Sequence, residues 1–317
     1  MSLEKVNLAT TTNITTTYAG QFAGEYIAAA LLSASTIDDG GITVKGNISY
    51  KEVIKKLATT ELVSAASCDF TPTSTVTLTE RILQPTELQV NLQLCKQDFI
   101  SDWEAQSMGF GLGQTLPPKF SDFMLAHVAA EVAQSNELNL WQGDTAAASN
   151  NAYDGFEKLL AADAGVIDVA AATLDAANII TELGKVVDAI PGALYGKEDL
   201  FIYIGSAAAK FYVQSLGGFA ANGLGANGVA NMGTQWWNNG SLTVNGVKIF
   251  VCPGMSANKM VAAQRSNMYF GTGLLNDSQS VRVLDMQDLD GSQNVRMVMR
   301  YTAGVQFGVA EDVVLYA

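Results

Sequence analysis

Histidine and cysteine are rare in this sequence of 317 residues, and their scarcity excludes several kinds of site. The single histidine, His127, rules out mechanisms that need two imidazoles in one chain, including the HExxH zinc site. The three cysteines, Cys68, Cys95 and Cys252, form no CxxC pair, and an odd number at wide spacing is not a disulfide framework. We expect buried thiols in a reducing compartment and a histidine in the core or at an interface.

Charged residues are also few, at 15% of the chain against about 25% in an average soluble domain. The 18 basic and 31 acidic residues give a net charge of −13, which argues against sequence-independent binding to nucleic-acid phosphates and against binding to anionic membranes. A chain with so little charge often covers much of its surface with other protein, so we expect an oligomer. The longest apolar run near the start, from Tyr26 to Leu32, is too short for a membrane span, and we expect a soluble protein made in the cytoplasm.

Constellations that would support catalysis or cofactor binding are absent as well. Gly223, Gly225 and Gly228 match GxGxxG, but a helical pattern precedes them and a loop follows, whereas the dinucleotide motif needs a strand and then a helix. No carboxylate or histidine occurs between residues 200 and 276, so paired-carboxylate chemistry cannot be built there. The aspartates 285, 288 and 290 could bind calcium or form a solvated turn, and we favour the turn. We predict no enzyme, no cofactor and no metal site.

The first hundred residues predict an arm and two strands. Six threonines between Thr10 and Thr17 indicate an extended arm, and residues 50–59 read as a short helix. Period-two alternation from Val76 and again from Leu88 predicts two strands joined at Gln84-Pro85. We expect a long hairpin of these two strands whose apolar face is covered by the chain itself or by a neighbour, because a lone two-stranded ribbon is marginal in water.

The middle of the chain predicts a long helix followed by a mixed α/β region. Pro118 opens a helical pattern that can run to Gly143, about 25 residues. The segment that follows, residues 143–199, is rich in acidic side chains and contributes −7 of the net charge. We predict a helix over 175–190, a buried strand over 200–204, and a hairpin that turns at Asn245-Gly246. Further strands are expected at 260–264, 280–285, 295–301 and 305–309.

Several residues are candidates for contacts between copies of the chain. Trp236 and Trp237 lie in an uncharged loop with seven glycines and five asparagines, residues 217–240, where burial at an interface competes with burial within the chain. The remaining candidates are charged and are either on solvated sheet faces or paired with an acidic neighbouring subunit: Glu80, Arg81, Arg282, Arg296 and Arg300.

The order of these elements resembles the major capsid protein of tailed bacteriophages of the Hong Kong 97 type. Residues 261–273 are similar to a strand-turn-strand segment of that family, residues 295–309 to its closing strands, and Asn245-Gly246-Val247 to a hairpin of its axial domain. The resemblance implies an α+β Hong Kong 97-like capsid fold with an N-arm, an extended β-hairpin loop, a spine helix in the peripheral domain and a mixed α/β axial domain. The implied boundaries are 1–40 for the N-terminal arm, 41–100 for the extended loop, 101–155 with 276–317 for the peripheral domain, and 156–275 for the axial domain.

The resemblance also implies a function and partners. The subunit would form hexamers and pentamers of an icosahedral virion capsid, assembled in the host cytoplasm, that encloses double-stranded DNA without binding it specifically. A portal, a scaffolding protein and a decoration protein are implied partners, and no membrane is. Two alternatives stay open: an encapsulin-like shell of a bacterial nanocompartment, and a non-assembling α/β hydrolase or binding module.

Overall fold

A computed structural model describes residues 35–59, 63, 76–95, 118–215, 242–273, 281–286 and 291–317, with only the backbone described at 118–127, 281, 282 and 285. The predictions for the threonine-rich arm, the uncharged loop with Trp236 and Trp237, and the GxGxxG match therefore lie outside the described residues. His127 and Arg282 are described by their backbone positions alone.

The described chain contains helices and strands in mixed order. The helices are α1 (Ser35–Asp38), α2 (Pro118–Gln142), α3 (Phe156–Ala161), α4 (Ile179–Asp188) and α5 (Ser206–Val213), with 3-10 turns at Arg265–Asn267 and Ala310–Asp312. The strands are β1 (Thr43–Lys45), β2 (Glu52–Thr59), β3 (Val76–Leu83), β4 (Thr86–Cys95), β5 (Ile167–Val169), β6 (Leu200–Gly205), β7 (Leu242–Val244), β8 (Val247–Cys252), β9 (Met260–Gln264), β10 (Met268–Gly271), β11 (Val281–Asp285), β12 (Asn294–Phe307) and β13 (Val314–Tyr316). Two compact units result, a first unit with residues 86–136 and 272–303, and a second unit with residues 35–85, 137–271 and 304–317.

The core of the second unit is a six-stranded sheet in the order β5-β13-β9-β6-β8-β7. Its central strand β6 reads Leu-Phe-Ile-Tyr-Ile-Gly, a β-branched and aromatic sequence that suits a strand buried on both faces. Helices α4 and α5 supply Leu183, Val186 and Tyr212 to one hydrophobic cluster with the sheet. The buried strand predicted at 200–204 is confirmed.

Helix α4 begins four residues later than predicted, at Ile179 instead of Asp175. The Asp175 carboxylate accepts the backbone N–H groups of Ala177 and Asn178, both at 2.8 Å, and so stabilises a turn before the helix. Such local side-chain bonds compete with helical ones. The apolar face is as predicted, with Leu183 and Val186 fully buried.

The turn between β7 and β8 confirms the Asn-Gly hairpin. Asn245 has φ of 47° and Gly246 has φ of 82°, the two left-handed residues that a type I′ turn requires. Strands β7 and β8 pair antiparallel with Val244 opposite Val247.

Residues 50–59 form a strand, so the short helix predicted there is wrong. Strand β2 pairs antiparallel with β3 over eight residues, from Glu52 opposite Leu83 to Thr59 opposite Val76. The local sequence Val53, Ile54 and Leu57 fits either period. The strand is selected by backbone bonds to β3, a separate segment of the chain, and local spacing does not reveal them.

The pairing of the predicted hairpin is also wrong, although both strands exist. Strand β3 pairs with β2, whereas β4 pairs with β12 over ten residues, from Cys95 opposite Asn294 to Ala303 opposite Thr86. Gln84-Pro85 is therefore a passage from one sheet to another and not a hairpin turn. Proline has no N–H to donate, which suits a point where the chain leaves one ladder.

The sheet of the first unit has the order β4-β12-β11. Strand β12 is one strand of 14 residues, so the two separate strands predicted at 295–301 and 305–309 are a single element. Residues 294–303 pair with β4, and residues 304–307 pair with β10 in the second unit. Ala303 and Gly304 interrupt the alternation of large side chains in the sequence of β12. The backbone continues through both residues as one strand.

The long helix is confirmed at its predicted length, with 25 residues from Pro118 to Gln142. Gly143 follows its last residue, and the Gly143 N–H donates to the Asn139 carbonyl at 3.0 Å. A Cβ at Gly143 would lie 2.3 Å from the carbonyl oxygens of both Asn139 and Tyr153, so only glycine fits this close backbone approach.

Candidate assembly surface

One of the two faces of the hairpin of β2 and β3 is left uncovered by the described part of the chain. Residues directly opposite in an antiparallel pair share a face, and the register places Val53 with Ile82, Leu57 with Leu78, and Thr59 with Val76. All eight side chains of this hairpin face are exposed: Val53, Lys55, Leu57, Thr59, Val76, Leu78, Glu80 and Ile82. Leu57, Leu78 and Val76 are 65%, 63% and 64% exposed.

The opposite face of the same hairpin is fastened to the second unit. Arg81 binds Asp163 at 2.5 Å and lies over the Phe307 ring, 4.2 Å from its centroid. Lys56 binds Glu311 at 2.5 Å, and the Leu83 side chain is fully buried. The hairpin is thus held in place along one side and presents apolar side chains on the other.

The pKa of the Asp163 carboxyl reflects this attachment. The backbone N–H of Gly165 and the Arg81 guanidinium both donate to it and hold its pKa below the usual range, against a smaller opposing effect of burial. The ion pair between Asp163 and Arg81 therefore persists at neutral pH.

A second exposed surface lies on the sheet of the first unit. We call it the arginine face and define it by Gln89, Asn91, Gln93, Arg296 and Arg300, which alternate along β4 and β12 with the apolar residues of the other face. Arg296 Nε donates to the Gln93 side-chain oxygen at 2.8 Å.

The other face of this sheet is the apolar one. Met297, Met299 and Tyr301 are buried there, and the Tyr301 hydroxyl bonds to the Asn136 side-chain oxygen of α2 at 2.9 Å. Burial raises the pKa of Tyr301 to about 12, so the phenol stays neutral and able to donate. The arginine face is therefore the solvent side of a sheet whose inner side is fixed.

Buried carboxylates in the second unit are fully engaged by neighbouring groups. Glu157 accepts the Ser256 backbone N–H at 2.8 Å and the Ser256 hydroxyl at 2.7 Å, with Lys259 at 3.2 Å. Glu182 accepts the Tyr316 hydroxyl at 2.8 Å and binds Lys185 at 2.8 Å. These contacts hold both carboxylates within the fold of the second unit.

The described residues contain no group of three or more histidines, cysteines, aspartates or glutamates that could hold a metal ion. Over the same part of the chain, none of the helices combines the length and apolarity that a membrane crossing requires.

The structure separates the charged residues that the sequence singled out. Glu80 lies on the exposed hairpin face opposite Lys55, while Arg81 points to the fastened side and is paired within its own unit. Arg296 and Arg300 are exposed on one sheet face, and Arg282 occupies the register position opposite Val298 between them.

Some contacts of the second unit were not found from the sequence. The Thr36 hydroxyl and backbone N–H both donate to the buried Glu137 carboxylate, and Trp141 Nε1 donates to the Thr36 oxygen at 3.1 Å. A hundred residues separate Thr36 from Glu137, and no motif marks either of them.

Comparison with known proteins gives a likeness in structure only. No family model matches the sequence, and no curated protein does. The fold is similar to the capsid of a native GTA particle, with 11% identity, 91% of this chain and 89% of that chain covered, and a TM-score of 0.57. It is also similar to the capsid of Myoviridae phage XM1, with 14% identity, coverage of 89% and 91%, and a TM-score of 0.54.

A third similar structure is a virus-like particle from Pyrococcus furiosus, with 9% identity, 94% of this chain and 98% of that chain covered, and a TM-score of 0.52. At these identities the likeness shows a shared fold, and it extends over nearly the whole chain in each case.

Proposed function

We propose that this chain, which has the Hong Kong 97-type capsid fold, is the major capsid protein of a tailed bacteriophage. Copies of it would assemble into hexamers and pentamers of an icosahedral head that encloses double-stranded DNA. The similarity to two particle capsids over about nine tenths of the chain supports a shell subunit.

The exposed hairpin face is the observation on which the proposal mainly rests. A two-stranded ribbon is marginal by itself in water, and this one exposes five aliphatic side chains on one face, with the Lys55–Glu80 pair among them. Covering each of them would contribute about 1 kcal/mol, since full burial of such a side chain contributes about 1.5–3 kcal/mol and these are 43% to 65% exposed. A second copy of the chain supplies that cover when many identical subunits meet.

Within this proposal the regions take the roles of the fold family. Residues 1–40 would be an N-terminal arm and 41–100 the extended loop, with the peripheral domain at 101–155 and 276–317 and the axial domain at 156–275. Trp236, Trp237 and Glu80 would lie at contacts between copies. A portal, a scaffolding protein and a decoration protein would be further partners, and the shell would form in the host cytoplasm.

The test compares the purified chain with the double variant Leu57→Thr/Leu78→Thr. Threonine keeps the strand preference but removes apolar surface, so the hairpin should persist. Each contact between subunits through this face should lose about 2 kcal/mol of association free energy. We expect the parent chain to form capsomers or shells, and the variant to need about 30 times more protein to do so. Sedimentation velocity and negative-stain microscopy measure both.

Ile180→Thr is the matched control, because Ile180 is also exposed, at 50%, but lies on helix α4. It should assemble like the parent chain. A parent chain that remains a monomer at all concentrations and salt conditions would contradict the proposal, as would a hairpin variant that assembles as readily as the parent.

An encapsulin-like shell is the second candidate, supported by the likeness to the virus-like particle from Pyrococcus furiosus. The contents of particles purified from the native source separate the two. Nuclease-protected DNA supports the phage head, and particles filled with an enzyme and free of DNA support the nanocompartment.

A further inference from the structure

The arginine face is a basic surface on an acidic protein. The whole chain has a net charge of −13, yet Arg296 and Arg300 lie four residues apart on one strand, and Arg282 occupies a register position between them. Four residues of strand span about 13 Å, so the three positions form a small triangle on one face of the sheet.

Neither described arginine of this face is neutralised by a close carboxylate within the described residues. Arg296 donates to the amide oxygen of Gln93, and the carboxylate nearest to Arg300 is Glu87 at 3.9 Å. Both members of the latter pair are more than 60% exposed, and such pairs contribute little to stability. In contrast, Lys56, Arg81 and Lys158 each bind a carboxylate at 2.7 Å or less.

The complementary charge is present in the same chain. Residues 144–199 contain ten acidic and three basic side chains. Among the ten, Asp168, Asp188 and Glu198 are exposed, and no described cation lies within ion-pair distance of them.

From this complementarity we infer that the arginine face docks onto exposed carboxylates of residues 144–199 of a second copy of the chain. The inference rests on the proposed shell function and specifies one of its contacts. Arginine forks bind carboxylates in two-point geometry, and the amides of Gln89, Asn91 and Gln93 can both donate and accept beside them. A contact that joins two different surfaces is head-to-tail, and contacts of this kind form rings when the rotation between subunits closes.

Nucleic acid fits this surface less well than an acidic protein surface does. Binding to phosphates that is independent of base sequence needs many cationic side chains, and this face offers three arginine positions. The chain as a whole is negatively charged and repels polyanions.

The test reverses the charge of the face in the full chain with Arg296→Glu/Arg300→Glu. Lys210→Glu/Lys248→Glu is the matched control, because both lysines are exposed and the change in net charge is identical. We expect both variants to fold with unchanged thermal midpoints, since none of the four side chains is buried. Only the arginine variant should need at least ten times more protein to assemble than the parent chain in about 150 mM salt.

A combined variant then identifies the partner surface. Adding Asp168→Lys, Asp188→Lys and Glu198→Lys to the arginine variant exchanges the two charges, and assembly should return to within about threefold of the parent. Failure of this exchange to restore assembly overturns the inference, as does an arginine variant that assembles like the parent. Duplex DNA binding by the parent that the arginine variant loses overturns it in favour of nucleic acid. A parent chain that never assembles refutes the proposed function instead.

Discussion

Glu137 shows how a single buried carboxylate is stabilised in this fold. Only 6% of its surface is exposed, and it has hydrogen-bond donors in place of a cation: the Thr36 N–H at 3.1 Å, the Thr36 hydroxyl and the backbone of Gly254. Burial raises the pKa of Glu137 above its usual value of 4.5, and the bonds from Thr36 oppose that rise without cancelling it. Cys252 is the titratable neighbour, and burial raises the pKa of its thiol far enough to keep it neutral.

This raised pKa has a consequence for stability. Between 4.5 and the higher folded pKa, the folded chain holds a proton that the unfolded chain has lost, so the free energy of unfolding falls as the pH rises through that window. One proton changes it by at most about 1.4 kcal/mol per pH unit. We expect Glu137→Gln to remove this slope, measured as the difference in thermal midpoint between variant and parent from pH 4 to pH 8. Parallel curves for the two proteins would show that Glu137 titrates normally.

At the scale of elements, the end of the long helix and the middle of α4 use glycine in opposite ways. The backbone of Gly143 lies against the carbonyls of Asn139 and Tyr153, and Gly155 N–H donates to the Gly143 carbonyl at 2.8 Å. Gly184 lies inside α4 with open space where a Cβ would be. The first glycine is required by packing, and the second only weakens its helix.

Alanine substitution at the two positions should therefore change stability in opposite directions. Gly143→Ala forces backbone apart and should lower the free energy of unfolding by about 1–3 kcal/mol. Gly184→Ala should raise it by roughly 0.5–1 kcal/mol, because alanine loses less backbone freedom in a helix than glycine. Denaturant unfolding of the two variants measures both effects. Equal changes at the two sites would be inconsistent with this packing.

At the scale of the whole molecule, low charge and a negative balance go together. Only 15% of the residues are charged, so few charged side chains lose contact with water when copies of the chain associate. The net charge of −13 disfavours contact with nucleic acid. If the chain forms the head that we propose, weak binding to the enclosed DNA is an advantage, because the DNA must leave again.

We therefore expect the purified chain not to bind duplex DNA appreciably in about 150 mM salt. A gel shift with micromolar protein and a 30-base-pair duplex should show free DNA only, since too few phosphates can be neutralised. A shift that disappears as salt is raised would reveal a basic surface that the overall charge conceals.

Elements with strong local signals could be predicted from the sequence. The 25-residue helix after Pro118, the buried strand at 200–204 and the Asn245-Gly246 turn are all where the pattern placed them. Each depends on residues close together in the chain, whose periodicity or turn chemistry is sufficient. The capsid-type fold followed from the order of these elements.

Only the tertiary structure decided which strands pair and which faces stay open. The partner of β3 is β2 and not β4, and the partner of β4 lies about 200 residues further along the chain. Backbone hydrogen bonds are the same for every residue type, so a strand's sequence indicates which of its faces is apolar but does not identify its neighbour. For the same reason, the sequence alone determined that a strand near residue 78 has an apolar face. The packing of the described residues determined that they leave this face exposed.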